Sequence, residues 1–361
     1  LSLPLAITNA DAQLTTRQQL LVAMDWKTLP GEEFTLDSRS PATAAELLAG
    51  GGSPTSVDAH LWMPDNAGGR VPAVVLFNCG NTMVREKEGY YSEVFHRMGY
   101  AVLIVNSLSA RAPGANLSGA DVFHFRLATM VDAAVALKTL ASNPRIDPGR
   151  IAIMGWANGG MSILGGAIED VLQRYAGPNL HYAAIVAVSP FCGVATLGAR
   201  FAATPILSLH GEKDDFMPLK PCQFYRQEAS ARGANVDVVV YPGVQHNWEM
   251  SFAVHHDQTQ TSLRDCYAVT DLGEHAIRLG NGATVTPATA NFAETVAGYL
   301  RSCSSTGISE RAVTFALNVR FSSSRRNCQK PRFIMSTTSA MTPTWVMIHL
   351  GRSSPRSTRQ R

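Results

Sequence analysis

Apolar runs of five to seven residues alternate with longer amphipathic stretches along most of the chain. Most of the runs end at a turn residue such as Gly, Pro or Asn, as buried strands do. The predicted strands lie at 57–63, 71–77, 101–106, 151–155, 183–189, 205–210 and 236–241. Helices are predicted at 89–98, at 121–142 and at about 287–301, where Thr286 and Pro287 suit a helix start. This alternation predicts an α/β fold, a mostly parallel sheet with helices on both faces.

Composition is that of a globular protein with extensions. The 361 residues are 45% hydrophobic and 16% charged, which allows one domain of about 250 residues. No apolar run approaches the roughly 18 residues that a membrane span requires, so no membrane segment is predicted. The net charge of +3 divides unevenly, because residues 303–361 carry ten Lys or Arg and one acid while the rest has a net charge of −6.

Four segments follow from these patterns. Residues 1–12 resemble the end of a signal peptide, with an Ala-x-Ala site before Gln13, which predicts a secreted or periplasmic protein. Residues 13–56 are predicted to be an N-terminal extension, and residues 57–302 the domain. The basic, Ser-rich and Arg-rich tail, 303–361, is predicted to be disordered. It could contact nucleic acid phosphates, but it lacks a nucleic-acid-binding motif, so we do not expect that partner; translation past a frameshift would also explain its composition.

A strand-to-helix turn follows the predicted strand at 151–155. Its sequence, Gly155-Trp156-Ala157-Asn158-Gly159, has the spacing of a nucleophile elbow, in which two glycines allow a sharp turn that exposes the central side chain. That central residue is Ala157. Because a methyl group cannot attack a carbonyl carbon, the position has no nucleophile. On its own, a Gly-x-x-x-Gly pattern also fits a turn that only packs closely.

An acid and a base follow the turn in the order that a nucleophile, acid and base triad requires. Asp214 lies in the turn after the strand at 205–210, and we favour it over Asp215 because of its spacing from Gly211 and Pro218. His246 follows the strand at 236–241 and a Gly turn. His255 and His256 are nearby but lie further from the strand end. A carboxylate in this place can hold an imidazole in one tautomer.

From about 57 to 301 the chain resembles the dienelactone hydrolase family of the α/β-hydrolase superfamily. The matching segments are the elbow with Gly160, the acid turn from Gly211 to Pro218, Tyr241-Pro242-Gly243 with His246, and Ala110-Arg111-Ala112-Pro113-Gly114. The resemblance implies an α/β-hydrolase fold and hydrolysis of a small ester or lactone without a cofactor or metal. It departs from the family at Ala157, where relatives carry Ser or Cys, and at Phe77-Asn78, where many have His-Gly.

The resemblance also implies roles for further residues. Backbone N–H groups of Asn158 and of the Cys79-Gly80 turn would form an oxyanion hole, and Arg111 would hold a substrate carboxylate. The alternative nucleophiles are Ser162, Cys192 and Cys79. All three also fit ordinary small residues of the core or of loops, without a catalytic role. Cys222 and Cys266 flank the His246 segment and are predicted disulfide partners, while no His/Cys cluster suggests zinc.

Three interpretations of Ala157 remain open at this point. The chain is an inactivated variant of an ester hydrolase, a natural protein that binds such ligands without turning them over, or the product of a decayed gene. Each of them keeps a small ester or lactone as the ligand class. The sequence does not indicate the oligomeric state.

Overall fold

A computed structural model describes most of the chain. It covers residues 25–65, 68–78, 83–108, 110–111, 119–192, 198–248, 255–262, 264, 266, 268–286 and 288–303, and strands within 305–349. The predicted signal-peptide remnant, 1–12, lies outside the described residues.

Eight strands form the main sheet. Their apolar runs are buried almost throughout, and in β3 and β4 nearly every side chain is inaccessible to solvent. The strands are β1 (Glu32–Ser40), β2 (Ser53–Trp62), β3 (Val71–Phe77), β4 (Ala101–Val105), β5 (Ile146–Trp156), β6 (Ala184–Val188), β7 (Pro205–Gly211) and β8 (Asn235–Tyr241).

The sheet order is β1-β2-β4-β3-β5-β6-β7-β8. Strands β3 to β8 run parallel, whereas β1 and β2 are antiparallel to their neighbours. The carboxyl ends of the parallel strands therefore meet at one edge, where ligands of such sheets bind. All seven predicted strands are present, so the predicted α/β fold is confirmed.

Helices follow most of the parallel strands. They are α1 (Ala44–Ala49), α2 (Tyr90–Arg97), α3 (Gly119–Ser142), α4 (Asn158–Leu164), the single turn α5 (Glu169–Val171), α6 (Leu219–Ala231) and α7 (Phe292–Cys303). Helix α7 begins at Phe292, five residues after the predicted start, because the Thr286 segment forms a turn closed by the Thr289 hydroxyl instead. No helix in the described part of the chain is both long and apolar enough to cross a bilayer.

The segment predicted to be an N-terminal extension belongs in part to the domain. Strand β1 pairs with β2 along nine residues and buries Leu36 and Ser38. Helix α1 follows, capped by the Thr43 side chain, which accepts a hydrogen bond from the Glu46 N–H. An edge strand of the same sheet and a helix thus precede the predicted domain start at residue 57.

Further strands lie after β8. Short strands β10 (Ala268–Asp271), β11 (Ala276–Leu279) and β12 (Thr284–Val285) form one small sheet, and β9 (His255–Ser262) pairs with β13 (Ser305–Glu310). In the predicted disordered tail the structure also has β14 (Ala316–Phe321), β15 (Arg332–Thr338) and β16 (Thr344–His349) as a three-stranded sheet. This differs from a tail disordered throughout, because these stretches are the apolar, β-branched parts of an otherwise Ser-rich and Arg-rich sequence.

Candidate active site

The turn between β5 and α4 has the backbone of a nucleophile elbow. Ala157 has φ 47° and ψ −109°, a conformation that non-glycine residues rarely adopt. Its N–H donates to the Val188 carbonyl of β6 at 2.9 Å, which holds the turn at the carboxyl edge of the sheet. The strained conformation is therefore present although residue 157 carries only a methyl group.

Two glycines make this turn sterically possible. A Cβ added to Gly155 would lie 2.7 Å from the backbone of Gly159, and a Cβ added to Gly159 would overlap the carbonyl oxygen of Asn78. Neither contact can be relieved by moving a flexible side chain, because backbone atoms are involved. The spacing of the two glycines thus has the steric reason that the sequence pattern implied.

Asp214 and His246 meet at the same edge of the sheet. The Asp214 Oδ2 lies 2.8 Å from His246 Nδ1, and both side chains are almost wholly buried. The other carboxylate oxygen, Oδ1, accepts N–H bonds from Phe216 at 3.1 Å and Met217 at 2.8 Å. The turn after β7 therefore fixes the carboxylate, and the carboxylate orients the imidazole ring.

Backbone contacts tie the acid turn to the histidine segment. The Lys213 N–H donates to the Val244 carbonyl at 2.7 Å, and the Glu212 N–H to the Tyr241 carbonyl at 3.0 Å. Gly211 leaves no room for a Cβ against the Val244 carbonyl oxygen. The Asp214 and His246 side chains are thus brought together by main-chain geometry.

The neighbouring acid has a different partner. Asp215 pairs with Arg264, whose Nη2 lies 3.0 Å from the carboxylate, and its carbonyl accepts a bond from the Ser262 hydroxyl. His255 and His256 lie in β9, which pairs with β13 and lies outside the main sheet.

The free nitrogen of the His246 ring marks the place for a reacting group. Within the described part of the chain, the buried Nε2 atom has no hydrogen-bond partner. The Phe216 ring packs edge-on against the imidazole with centroids 5.0 Å apart, a contact that sequence patterns alone do not reveal. A buried histidine with one nitrogen on a carboxylate and the other unengaged has the arrangement of a general base.

The sequence pattern of the dienelactone hydrolase family matches residues 57–271, more than half of the chain. The chain belongs to the dienelactone hydrolase family. With this match and the sheet described above, the fold is an α/β-hydrolase fold. The predicted membership and fold are both confirmed.

The chain is also similar to two curated proteins and to solved esterase structures. Two uncharacterized proteins of Mycobacterium tuberculosis, from strains H37Rv and CDC 1551, are each 27% identical over 208 residues, which is 52% of this chain and 66% of theirs. The chain therefore spans slightly less than two thirds of these relatives. The apo form of Thermogutta terrifontis esterase 2 has a TM-score of 0.45 and 13% identity, covering 63% of this chain and 89% of that chain. Its propionate-bound form has a TM-score of 0.41 and 15% identity, covering 54% and 82%.

In this member of the dienelactone hydrolase family, Arg111 is committed to another side chain. Its Nη1 and Nη2 atoms lie 2.8 and 2.9 Å from the two oxygens of Asp132 in α3, and the pair is buried. Its Nε atom donates to the Ser40 hydroxyl at 3.0 Å. The structure argues against the substrate-binding role implied for Arg111, because its donors are occupied by the protein. Ala112, Pro113 and Gly114 lie outside the described residues.

The structure describes only some of the residues implied for the oxyanion hole and for alternative nucleophiles. Asn158 opens α4, so its backbone N–H lies at a helix start, but Cys79 and Gly80 lie outside the described residues. The Ser162 hydroxyl donates to the Asn158 carbonyl at 3.0 Å, which is a helix-internal contact rather than that of a nucleophile.

Two clefts of about 610 and 630 Å³ lie elsewhere on the protein, and neither is lined by Ala157, Asp214 or His246.

The predicted disulfide between Cys222 and Cys266 is wrong. Cys222 is bonded to Cys192, and Cys266 to Cys303 at the end of α7. The partners come from segments that the sheet topology brings together, which spacing along the chain does not reveal. Cys192 is therefore bonded to sulfur and is not a nucleophile in this state.

A histidine that sequence analysis did not single out lies beside this disulfide. His210 is the penultimate residue of β7, with Nε2 3.0 Å from the Cys222 Sγ atom. Burial lowers the pKa of His210 from 6.5 to about 4, while the Asp214 charge raises it and His246 lowers it. Cys192, His210 and Cys222 have donor atoms within 4.8 Å of one another, but sulfurs joined in a disulfide are not the thiolates that metals bind.

Proposed function

We propose that this chain is a carboxylic ester or lactone hydrolase scaffold with a nucleophile, His246 and Asp214 triad, in which Ala157 removes the nucleophile. The observation that carries the proposal is the buried Asp214–His246 pair, whose 2.8 Å contact leaves the His246 Nε2 atom without a partner among the described residues. Family membership supports the reaction class, and the strained elbow at Ala157 supports the place of attack.

In the reaction that this scaffold would perform, a hydroxyl or thiol at position 157 attacks the ester carbonyl. His246 takes the proton of the nucleophile and later donates it to the leaving alcohol. Asp214 keeps the imidazole in the correct tautomer and stabilises its protonated form. The Asn158 N–H, together with the Cys79-Gly80 turn, would donate to the developing oxyanion.

The chain as it stands carries a methyl group at the point of attack. Loss of the triad nucleophile lowers the rate of a serine protease by on the order of 10⁶-fold. The oxyanion hole and substrate binding account for the small residual rate. We therefore expect this chain to bind small esters or lactones and to hydrolyse them at a rate close to background. This expectation corresponds to the interpretation of the chain as a natural protein that binds such ligands without turning them over.

The proposal includes an oxidising compartment, either outside the cell or in the periplasm. Two disulfides support it, because disulfides persist in such compartments and are rare where thiols are kept reduced. Protein isolated from its native compartment with alkylation of all free thiols tests this, because mass spectrometry then shows which cysteines carry the label. Labelling of the four paired cysteines would contradict it.

The decisive experiment restores the nucleophile. We expect Ala157→Ser to raise kcat/KM for a short-chain p-nitrophenyl ester by on the order of 10⁴-fold or more over the unchanged chain. The elbow already has the backbone that an attacking serine requires, so no rearrangement is needed. Circular dichroism of both proteins establishes that they are folded.

A matched control separates position 157 from the nearby hydroxyl. Ala157→Ser combined with Ser162→Ala should retain the restored activity, because the Ser162 hydroxyl is bonded to the Asn158 carbonyl. A folded Ala157→Ser protein that hydrolyses neither p-nitrophenyl esters nor a panel of small lactones would contradict the proposed function.

A further inference from the structure

The Cys192–Cys222 disulfide lies between the two halves of the proposed site. Cys192 follows β6, and the end of β6 together with the residues before Cys192 contacts the elbow at three points. The carbonyl of Val188, the last residue of β6, accepts the Ala157 N–H at 2.9 Å, and the Phe191 N–H approaches the Ala157 carbonyl at 3.4 Å. Pro190 packs so closely on Gly160 that a Cβ there would lie 2.9 Å from the Pro190 ring.

The other sulfur belongs to the acid side of the site. Cys222 is in the first turn of α6, which begins two residues after Met217, whose N–H binds the Asp214 carboxylate at 2.8 Å. The Cys222 Sγ atom also lies 3.0 Å from the Nε2 atom of His210, on the strand that leads into the acid turn. Both cysteines are almost completely buried.

We propose that the Cys192–Cys222 disulfide is a positioning element of the hydrolytic site, which holds the nucleophile elbow in register with the Asp214–His246 pair. This inference rests on the proposed function. The pair itself is held by backbone bonds between the acid turn and the histidine segment, so its own geometry does not need the disulfide. What the disulfide adds is a covalent link from the elbow side to the acid side.

The second disulfide supplies a matched control. Cys192–Cys222 spans 30 residues and Cys266–Cys303 spans 37, so the chain-entropy contribution to stability is nearly the same for both. Cys266–Cys303 joins α7 to the segment before β10 and contacts neither the elbow nor the acid turn through any hydrogen bond in the described residues. If both disulfides only stabilise the fold, removing either one should therefore have the same effect on the protein.

The first measurement is kinetic and uses the full chain with Ala157→Ser. Adding Cys192→Ser and Cys222→Ser should lower kcat by on the order of 10- to 100-fold with little change in KM, because a misplaced nucleophile slows the chemical step. Adding Cys266→Ser and Cys303→Ser should leave kcat within about twofold. Both double variants should lose similar amounts of Tm.

The second measurement needs no ester hydrolysis. In an Ala157→Cys chain, the introduced thiol should have a pKa well below about 8.5 if it lies beside His246, which the pH dependence of alkylation by iodoacetamide reports through mass spectrometry of that peptide. Removing Cys192–Cys222 should move this pH dependence toward that of an ordinary thiol. Removing Cys266–Cys303 should not.

The two measurements distinguish the inference from the proposed function. If Ala157→Ser is inactive but the thiol profile depends on Cys192–Cys222 alone, the positioning role stands and the ester hydrolase assignment falls. If both pairs have the same effect, or if neither affects kcat or the thiol profile, the positioning role is overturned. An ordinary thiol profile in the parent Ala157→Cys chain counts against both. If the Cys→Ser double variants do not fold, Cys192→Ala with Cys222→Ala and Cys266→Ala with Cys303→Ala allow the same comparison between the two disulfides.

Discussion

Two buried pairs of an acid and a base lie in the same domain and are completed differently. Both oxygens of Asp132 are occupied, since Arg111 reaches both of them and the hydroxyls of Ser38 and Ser107 donate one bond each. The Arg111 guanidinium gives its remaining donors to neighbouring polar atoms of the protein. In this pair the described structure satisfies the charged atoms on both sides.

The Asp214–His246 pair is satisfied on the acid side only. Two N–H groups and one imidazole nitrogen saturate the carboxylate, but the buried His246 Nε2 atom has no partner among the described residues. An unsatisfied buried polar atom costs about 1–3 kcal/mol. His210 Nδ1 and Trp156 Nε1 also lack a partner among the described residues, so such an atom alone does not identify a site. The difference teaches that the combination does: an imidazole oriented by a buried carboxylate at the carboxyl edge of the sheet, with its second nitrogen unengaged.

The largest expected effect comes from removing the open nitrogen. In the Ala157→Ser chain, His246→Gln should lower kcat/KM by on the order of 10⁴-fold or more, back to about the level of the unchanged chain, because no group remains to take the nucleophile's proton. The free energy of unfolding should change little, since the Asp214 carboxylate keeps its two N–H bonds. Ester kinetics and urea denaturation on the same preparation measure both quantities.

A surface histidine provides the comparison for that change. His181 pairs with Glu169 and its side chain is 39% exposed, so His181→Gln should leave both rate and stability nearly unchanged. If His246→Gln retained most of the restored activity, the contrast between the open and the closed pair would lose its functional meaning.

The closed pair should respond in the opposite way. Asp132→Asn leaves the buried Arg111 charge uncompensated, and breaking such a pair costs about 3–5 kcal/mol of unfolding free energy. Activity per folded molecule in the Ala157→Ser chain should stay within about twofold, because the described hydrogen bonds of Asp132 and Arg111 do not involve the elbow or the Asp214–His246 pair.

An exposed ion pair calibrates this result. Asp147 and Arg150 lie 2.6 Å apart with side chains 35% and 42% exposed, so Asp147→Asn should cost less than about 1 kcal/mol. Equal losses for Asp132→Asn and Asp147→Asn in urea denaturation would contradict the closed network described for Asp132.

The same contrast shows what the sequence could predict. The elbow and the order of Asp214 and His246 are local patterns, since each residue follows an apolar strand at a turn with specific backbone requirements. The parallel strands were predicted for the same reason, because buried runs bounded by turn residues are legible without tertiary information. The antiparallel β1 was missed because its sequence, EEFTLDSRS, buries little more than Leu36 and Ser38.

Features that depend on distant partners were not predictable. The role implied for Arg111 took no account of Asp132, a residue of α3 that only the folded chain brings to it. The disulfide partners were mispaired because Cys192 and Cys303 come close to Cys222 and Cys266 only through the topology. Strand β9, HHDQTQTS, has no apolar alternation at all, and its pairing with β13 is likewise a tertiary property.

The smallest expected effect concerns His210, which lies beside the disulfide and near the open pair. Burial lowers its pKa from 6.5 to about 4, so between these values the unfolded chain binds a proton that the folded chain excludes. The contribution is present above pH 6.5 and is lost as pH falls toward 4. Between about pH 7.5 and pH 5 it amounts to about 2 kcal/mol of unfolding free energy. In urea denaturation, His210→Gln should lose about that much less than the unchanged chain over this interval. Equal losses in the two proteins would mean that His210 is protonated in the folded protein, and its burial beside Cys222 would then need another explanation.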